Sequence, residues 1–219
     1  MPADTLSKEE RKQIKKLWKD ANENNGAEAQ FEIGWRYQIG NGTIKDFKKS
    51  LYWCERAASQ NDRRCLCELG YKYWVGDFVD KDIEKAVEFF MQAGILGDDK
   101  AIFNLATIYS EGLGVEKNES KAIAYYRRAA ELGSSAAAGD LGIMLLQDDN
   151  ADNYEEALKL ISGAAEQGHS VSMFNLGVLF YHGIDDVLDQ DLETARRWLQ
   201  KAADCGDSQA QDYLSELIG

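Results

Sequence analysis

One spacing governs what this chain can become. Gly34, Gly70, Ala106, Gly142 and Gly177 follow one another at intervals of 36, 36, 36 and 35 residues, each directly after a large aliphatic residue: Ile33, Leu69, Leu105, Leu141 and Leu176. An apolar residue recurs three or four positions on as Tyr37, Tyr73, Tyr109, Leu145 and Phe180, and a glycine then follows at Gly40, Gly76, Gly112 and Gly183. A second series keeps step with the first. Ala57, Ala93, Ala129, Ala164 and Ala202 each follow an aromatic or aliphatic pair, from Trp53-Cys54 to Trp198-Leu199. A closing residue comes next at Asn61, Gly97, Gly133, Gly168 and Gly206, types that suit a left-handed helix C-cap.

Each repeat therefore reads as a helix A, a turn and a helix B, with small residues where the two helices approach each other. The only proline is Pro2, so nothing later breaks a helix. No such hairpin buries its apolar stripe alone, and the repeats must stack. The expected fold is all-α, a right-handed α-solenoid of five helix-turn-helix units with a capping helix at each end. Its segments are an N-terminal cap over 1–26, repeats over 27–62, 63–98, 99–134, 135–169 and 170–206, and a C-terminal cap over 207–219. These form one continuous domain of twelve helices without strands. Ser7 and Glu10 supply a capping box for the first helix.

The third repeat, AIFNLATIYSEGLGVEKNESKAIAYYRRAAELG, resembles a Sel-one-like repeat (SLR), a relative of the tetratricopeptide repeat. The resemblance runs through Ala101, Leu105, Tyr109, Gly112, Gly114, Val115, Lys121, Ala122, Tyr125, Tyr126, Ala129, Ala130 and Gly133, and the pattern extends over roughly nine-tenths of the chain. Two turns depart from it: DDNADN replaces the glycine turn of repeat four, and GIDDVLDQD lengthens that of repeat five.

A second apolar face needs explanation. In FEIGWRYQIGNG, residues 31–42, Ile33 and Tyr37 lie on one side of the helix while Phe31, Trp35 and Ile39 cluster opposite. The resemblance implies that helix A of every repeat lines the concave side of the superhelix, where related repeats bind proteins. The binding-face candidates on that reading are Phe31, Trp35 and Ile39 in repeat one, Tyr71 and Trp74 in repeat two, and Phe103 in repeat three. Repeat four adds Ile143 and Leu146, and repeat five Phe174, Tyr181 and His182. The opposing reading buries these side chains against neighbouring A helices, whereas open aromatic patches serve as binding sites.

Charge limits the partner. The chain carries 25 basic and 38 acidic side chains, and residues 135–219 hold only 4 of the basic but 16 of the acidic ones. Such a surface repels phosphate backbones, so no nucleic acid is expected. No run of 18 apolar residues is present and the N-terminus lacks the apolar core of a signal peptide. The expectation is a cytoplasmic protein without membrane insertion.

Chemistry finds little purchase. Cys54, Cys65, Cys67 and Cys205 form no metal pattern and read as free thiols. His169 and His182, the only histidines, are read as helix-end residues without catalytic company. Asp148, Asn150 and Asp152 match the first ligand positions of an EF-hand, but Asn153 and Lys159 stand where glycine and the bidentate glutamate belong. No catalytic residue, metal or cofactor is expected. The chain reads as a non-catalytic adaptor or scaffold binding another protein. The alternatives carried by the resemblance are a bacterial immunity protein, whose acidic third would face a basic toxin, and a hydrolase of the cysteine-rich SLR branch, whose paired cysteines are not matched here.

Overall fold

The structure is a computed structural model that describes residues 7–147, 151–184 and 187–217. Helix α1 (Lys8–Glu23) precedes five A–B pairs in sequence: α2 (Ala27–Ile39) and α3 (Phe47–Ala58), α4 (Arg63–Val75) and α5 (Ile83–Ile95), α6 (Asp99–Glu111) and α7 (Glu119–Glu131), α8 (Ser135–Gln147) and α9 (Tyr154–Glu166), α10 (Ser170–His182) and α11 (Leu192–Asp204). Helix α12 (Ser208–Glu216) follows. Among the described residues these twelve helices are joined by turns, with a 3₁₀ turn at Ala151–Asn153, one antiparallel bridge between Ile184 and Leu188, and no strand. The all-α class expected from the spacing is the one found. The helices gather into two compact units, one ending at Asn118 and the other starting at Glu119.

Aspartate starts half of these helices. Asp46, Asp62, Asp82, Asp98, Asp191 and Asp207 each stand at an N-cap and accept from backbone N–H groups of the first turn, as Asp98 does from Ala101 at 2.9 Å. Part of the acidic excess is thus structural, because a carboxylate satisfies an orphan donor and favours the positive end of the helix dipole. The ends of the helices obey the glycine pattern. Gly40, Gly76 and Gly112 close α2, α4 and α6 in the left-handed region, and Asn61, Gly97, Gly133, Gly168 and Gly206 close the B helices at positive φ.

Within each repeat the small residues bring A against B. A Cβ built on Gly142 of α8 would lie 2.6 Å from Ile161 and 2.9 Å from the Ala157 carbonyl of α9, so only glycine permits that approach. The alanines of the second series are fully buried, as are Ile33, Leu69, Leu105, Leu141 and Leu176. In the N-terminal unit Ile33 and Trp53 pack with Ala21 of α1. In the C-terminal unit Ile161, Leu176, Leu199 and Ala210 of α12 form one core.

The lengthened turn of repeat five differs in shape from the glycine turns of the first three repeats. Gly183 at the end of α10 keeps a positive φ but has ψ 178°, and the bridge closes the loop through Ile184 N–H to the Leu188 carbonyl at 2.8 Å. Asp148 and Asn150 of the EF-hand reading, and the Glu10 side chain of the capping box, lie outside the described residues.

Candidate protein-binding face

The A-helix candidates fall into two environments. In the N-terminal unit, α2 and α4 lie side by side. The Gln38 amide donates to Glu68 at 3.1 Å, and the Arg64 guanidinium of α4 lies 4.0 Å from the Phe31 ring of α2. Arg64 is held there by Asp62, which accepts from its Nη2 at 2.7 Å and raises its basicity. The outer face of Phe31 is therefore covered by a cation. Beside it the chain is open: Trp35 and Ile39 of α2 are each 42% exposed, and their repeat partners on α4, Tyr71 and Val75, are 48% and 47% exposed.

Trp74 is different. It sits edge-on to Tyr71, with centroids 6.1 Å apart, and edge-on to Phe90 of α5, which has no exposure at all. Its ring bridges the open face and the core. Among the described residues no ring contact joins Trp35 to Tyr71 or Trp74, so the three do not form one continuous aromatic stack. Phe103 on α6 is half-buried. Beneath the open residues lies a charge network invisible to the apolar pattern. Lys72 is 3% exposed, with its ammonium 3.3 Å from Glu68 and 3.6 Å from Asp77. The register holds the signal that finds it: Arg36 and Lys72 share one repeat position, and each has a glutamate four residues before it, Glu32 and Glu68.

In the C-terminal unit the candidates other than His182 are partly covered. Ile143 and Leu146 of α8 pack against the core shared with α10 and α12. Tyr213 of α12 meets Phe174 at 5.8 Å, Tyr181 at 5.2 Å and His182 at 6.2 Å, each edge-to-face. His182 is exposed at the last position of α10, beside Tyr181 at 4.9 Å. Tyr213 was not among the candidates, yet its position could have singled it out. The residue before the Leu-Gly pair is polar in every repeat (Glu32, Glu68, Asn104, Asp140, Asn175) and becomes tyrosine only in the cap.

His169, a helix-end residue as its turn implies, is half-buried. It occupies the N-cap position of α10 without capping, and its Nδ1 is 2.8 Å from the Ser172 hydroxyl. Asp140 of α8 is close enough for His169 to act on its ionisation, though burial dominates and pushes the carboxyl above its usual range. Serine and histidine thus meet with an aspartate nearby, but Ser172 is completely buried, which leaves a substrate no approach to a nucleophile. The Cys54 thiol donates to the Cys65 carbonyl at 3.5 Å. The bond to Cys54 and then burial push the Cys65 thiol upward, while burial does the same to Cys67, so neither is poised as a thiolate. Cys205 is exposed. Among the described residues no three His, Cys, Asp or Glu side chains are grouped to hold a metal.

Comparison with known proteins places these features in context. The pattern described as "Sel1 repeat" matches residues 27–62, 64–98, 99–134, 135–169 and 170–207. Among solved structures, a protective antigen of uropathogenic Escherichia coli displaying an SLR fold is 28% identical with a TM-score of 0.82 over 93% of this chain. The match spans only 44% of that antigen. A Sel1 repeat protein from Oxalobacter formigenes is 29% identical with a TM-score of 0.80, covering 88% of this chain and 78% of its own. An immunity protein from Pseudomonas aeruginosa shares the fold at 20% identity, with a TM-score of 0.55, covering 84% of this chain and 67% of its own. No curated protein matches the sequence significantly.

Proposed function

This chain belongs to the Sel1 repeat family, whose repeats commonly mediate protein–protein interaction, and from that premise we propose that it is a non-catalytic adaptor that grips a partner protein with the A-helix face of its first two repeats. The observation that carries the reading is the quartet Trp35, Ile39, Tyr71 and Val75. Four large apolar side chains at equivalent positions of α2 and α4 stay more than two-fifths exposed on a face that the Gln38–Glu68 and Arg64–Phe31 contacts hold together. Exposed aromatic and aliphatic groups on a rigid support are the usual anchors of interfaces. Ile143, Leu146, Phe174 and Tyr181 then serve as the support of the C-terminal unit rather than as primary contacts, and Trp74 as a hinge between anchor and core.

A toxin-neutralising role is the narrower form of the same proposal, favoured by the excess of 16 acidic over 4 basic residues in 135–219, which suits a basic partner. None of the described helices is long and apolar enough to cross a membrane, and the partner is sought in aqueous extract. The test is affinity capture from the source organism with the wild-type chain and with a Trp35→Ala/Tyr71→Ala variant side by side. A protein retained by the first and lost by the second supports the face. Equal retention by both removes it, and a captured partner of strongly basic charge distinguishes the toxin-neutralising form.

A further inference from the structure

Helix α1 sets a row of cations in a chain whose net charge is −13. Lys8, Lys12, Lys15 and Lys19 follow one another at helical spacing, so they lie along one line of α1, with Lys16 beside them. All five are exposed. The line runs opposite Leu17, Trp18 and Ala21, whose side of the helix packs with Ile33, Tyr37 and Trp53 of α2 and α3. At 1.5 Å per residue the row from Lys8 to Lys19 is about 16 Å long.

The stability of α1 does not account for this arrangement. Lys8/Lys12, Lys12/Lys16 and Lys15/Lys19 are like-charge pairs four residues apart, which weaken a helix. Lys8 and Arg11 stand in the first turn, where the dipole disfavours cations, and the last turn has no basic residue. Carboxylates do not neutralise the row either. Among the described residues Lys19 pairs with Glu23 at 3.7 Å, whereas Lys8, Lys12, Lys15 and Lys16 have no ion pair. Asp20 accepts from Asn24, which leaves Glu9 among the free lysines. Glu9, Lys8, Lys12 and Lys15 border an open hollow of about 590 Å³.

We propose that this row docks the chain on a membrane surface rich in anionic phospholipid, with its ammonium groups against the headgroup phosphates and α1 lying flat without insertion. Charge alone suffices there, because each lysine near such a surface adds to the attraction without an apolar contact. Other acidic partners ask for more. A specific protein interface has an apolar centre, and the apolar side of α1 is already packed on α2 and α3. A nucleic-acid strand is held in a basic groove by stacking rings, and no ring stands in the row. The row is a ridge on a convex helix, a shape that touches a plane along its full length. Because the net charge of −13 opposes adsorption of the chain as a whole, binding depends on these lysines. The site is independent of the A-helix quartet.

Flotation of the full-length protein with vesicles of equal parts phosphatidylglycerol and phosphatidylcholine tests it, beside vesicles of phosphatidylcholine alone. The protein should partition onto the anionic vesicles only, and less so as salt rises. At about fivefold per lysine, Lys8→Gln/Lys12→Gln/Lys15→Gln should weaken the partition by about 100-fold. Lys12→Gln alone should lose about fivefold, and it carries the test should the triple variant lose its helical circular dichroism. The matching triple change to arginine keeps the charge and should bind within about threefold of wild type. Lys48→Gln/Lys81→Gln/Lys100→Gln removes the same charge from exposed lysines outside α1 and should also stay within about threefold. The Trp35→Ala/Tyr71→Ala protein should bind the vesicles unchanged, which separates the row from the proposed A-helix face. Equal partition onto neutral vesicles, a folded α1 glutamine variant that binds like wild type, or an equal loss in the variant outside α1 would overturn the proposal. Displacement from the vesicles by single-stranded or duplex DNA at equal phosphate concentration would overturn it in favour of nucleic acid.

Discussion

Two junctions between A helices occupy the same register and have opposite characters. Where α2 meets α4, Gln38 donates to Glu68; where α10 meets α12, the equivalent positions are Tyr181 and Tyr213, edge-to-face at 5.2 Å. The polar pair holds two helices together while leaving Trp35 and Tyr71 in solvent, and the aromatic pair closes its face over Phe174. A repeat position therefore determines which residues meet but not whether the face remains available. That depends on the size and polarity of the one residue the next helix contributes. An amide–carboxylate bond needs little area, whereas a tyrosine covers its neighbours and is stabilised by doing so.

The sharpest way to break the comparison is to remove the closing ring. Tyr213→Ala should cost about 3–4 kcal/mol of stability, in the range for truncating a packed aromatic, since contacts to Phe174, Tyr181 and His182 vanish together. Urea unfolding followed by circular dichroism measures it. A loss below about 1 kcal/mol would mean that the C-terminal face is no more closed than the N-terminal one.

Trp74→Ala comes next, at about 3 kcal/mol, because that half-buried ring packs edge-on against buried Phe90. The same unfolding experiment decides whether Trp74 belongs to the core or to the open face. An unfolding midpoint unchanged from wild type would return it to the binding surface.

These two residues also show where reading the sequence reached its limit. The helices, their glycine closures and the A–B contacts at Gly142 and its equivalents were legible because each depends on one position repeated every 36 or 35 residues. The aspartate caps were equally present in the sequence, but a net charge hides them: Asp46 and Asp98 count as acidity until their donors are seen. Trp74 and Trp35 lie on the same apolar face by helical angle, yet only one reaches Phe90, and an angle on a wheel carries no information about reach. Tyr213 belongs to a helix whose only recognised role was to end the array. Its effect is exerted on α10, some thirty residues away, through a contact that no local pattern expresses.

A smaller effect sharpens the open half of the comparison. Trp35→Ala and Tyr71→Ala should each alter stability by less than about 1 kcal/mol, as expected of side chains already half in water, yet each should weaken partner affinity by about 2 kcal/mol, roughly 30-fold. Calorimetric titration with the captured partner, alongside a thermal melt of the same sample, reads both quantities. A stability loss as large as that of Trp74→Ala would place these rings in a packed cluster and take away their availability.

The smallest effect is one of pH, and it sets helix-capping carboxylates against a buried one. Asp46 and Asp82, capping α3 and α5, are held below the usual carboxylate range chiefly by the backbone N–H groups of Lys49 and Lys85. A lowered folded pKa means that the unfolded chain takes up protons first. The stability these caps contribute is complete above about pH 4 and is lost as the pH falls through their folded values. Asp140 on α8 runs the other way, because burial raises its pKa and outweighs the opposing influence of His169. Its native form takes up a proton before the unfolded form does, so acidification from neutral pH first relieves the cost of a buried charge and stabilises the fold. Urea midpoints between pH 7 and pH 3 should therefore rise slightly before they fall. Asp140→Asn should remove the rise and leave the fall, while Asp82→Asn, whose amide oxygen still accepts from Lys85, should shorten the fall and leave the rise. If Asp140→Asn leaves the rise intact, burial of that carboxyl is not its source, and the contrast between capping and buried carboxylates fails while the aromatic one stands.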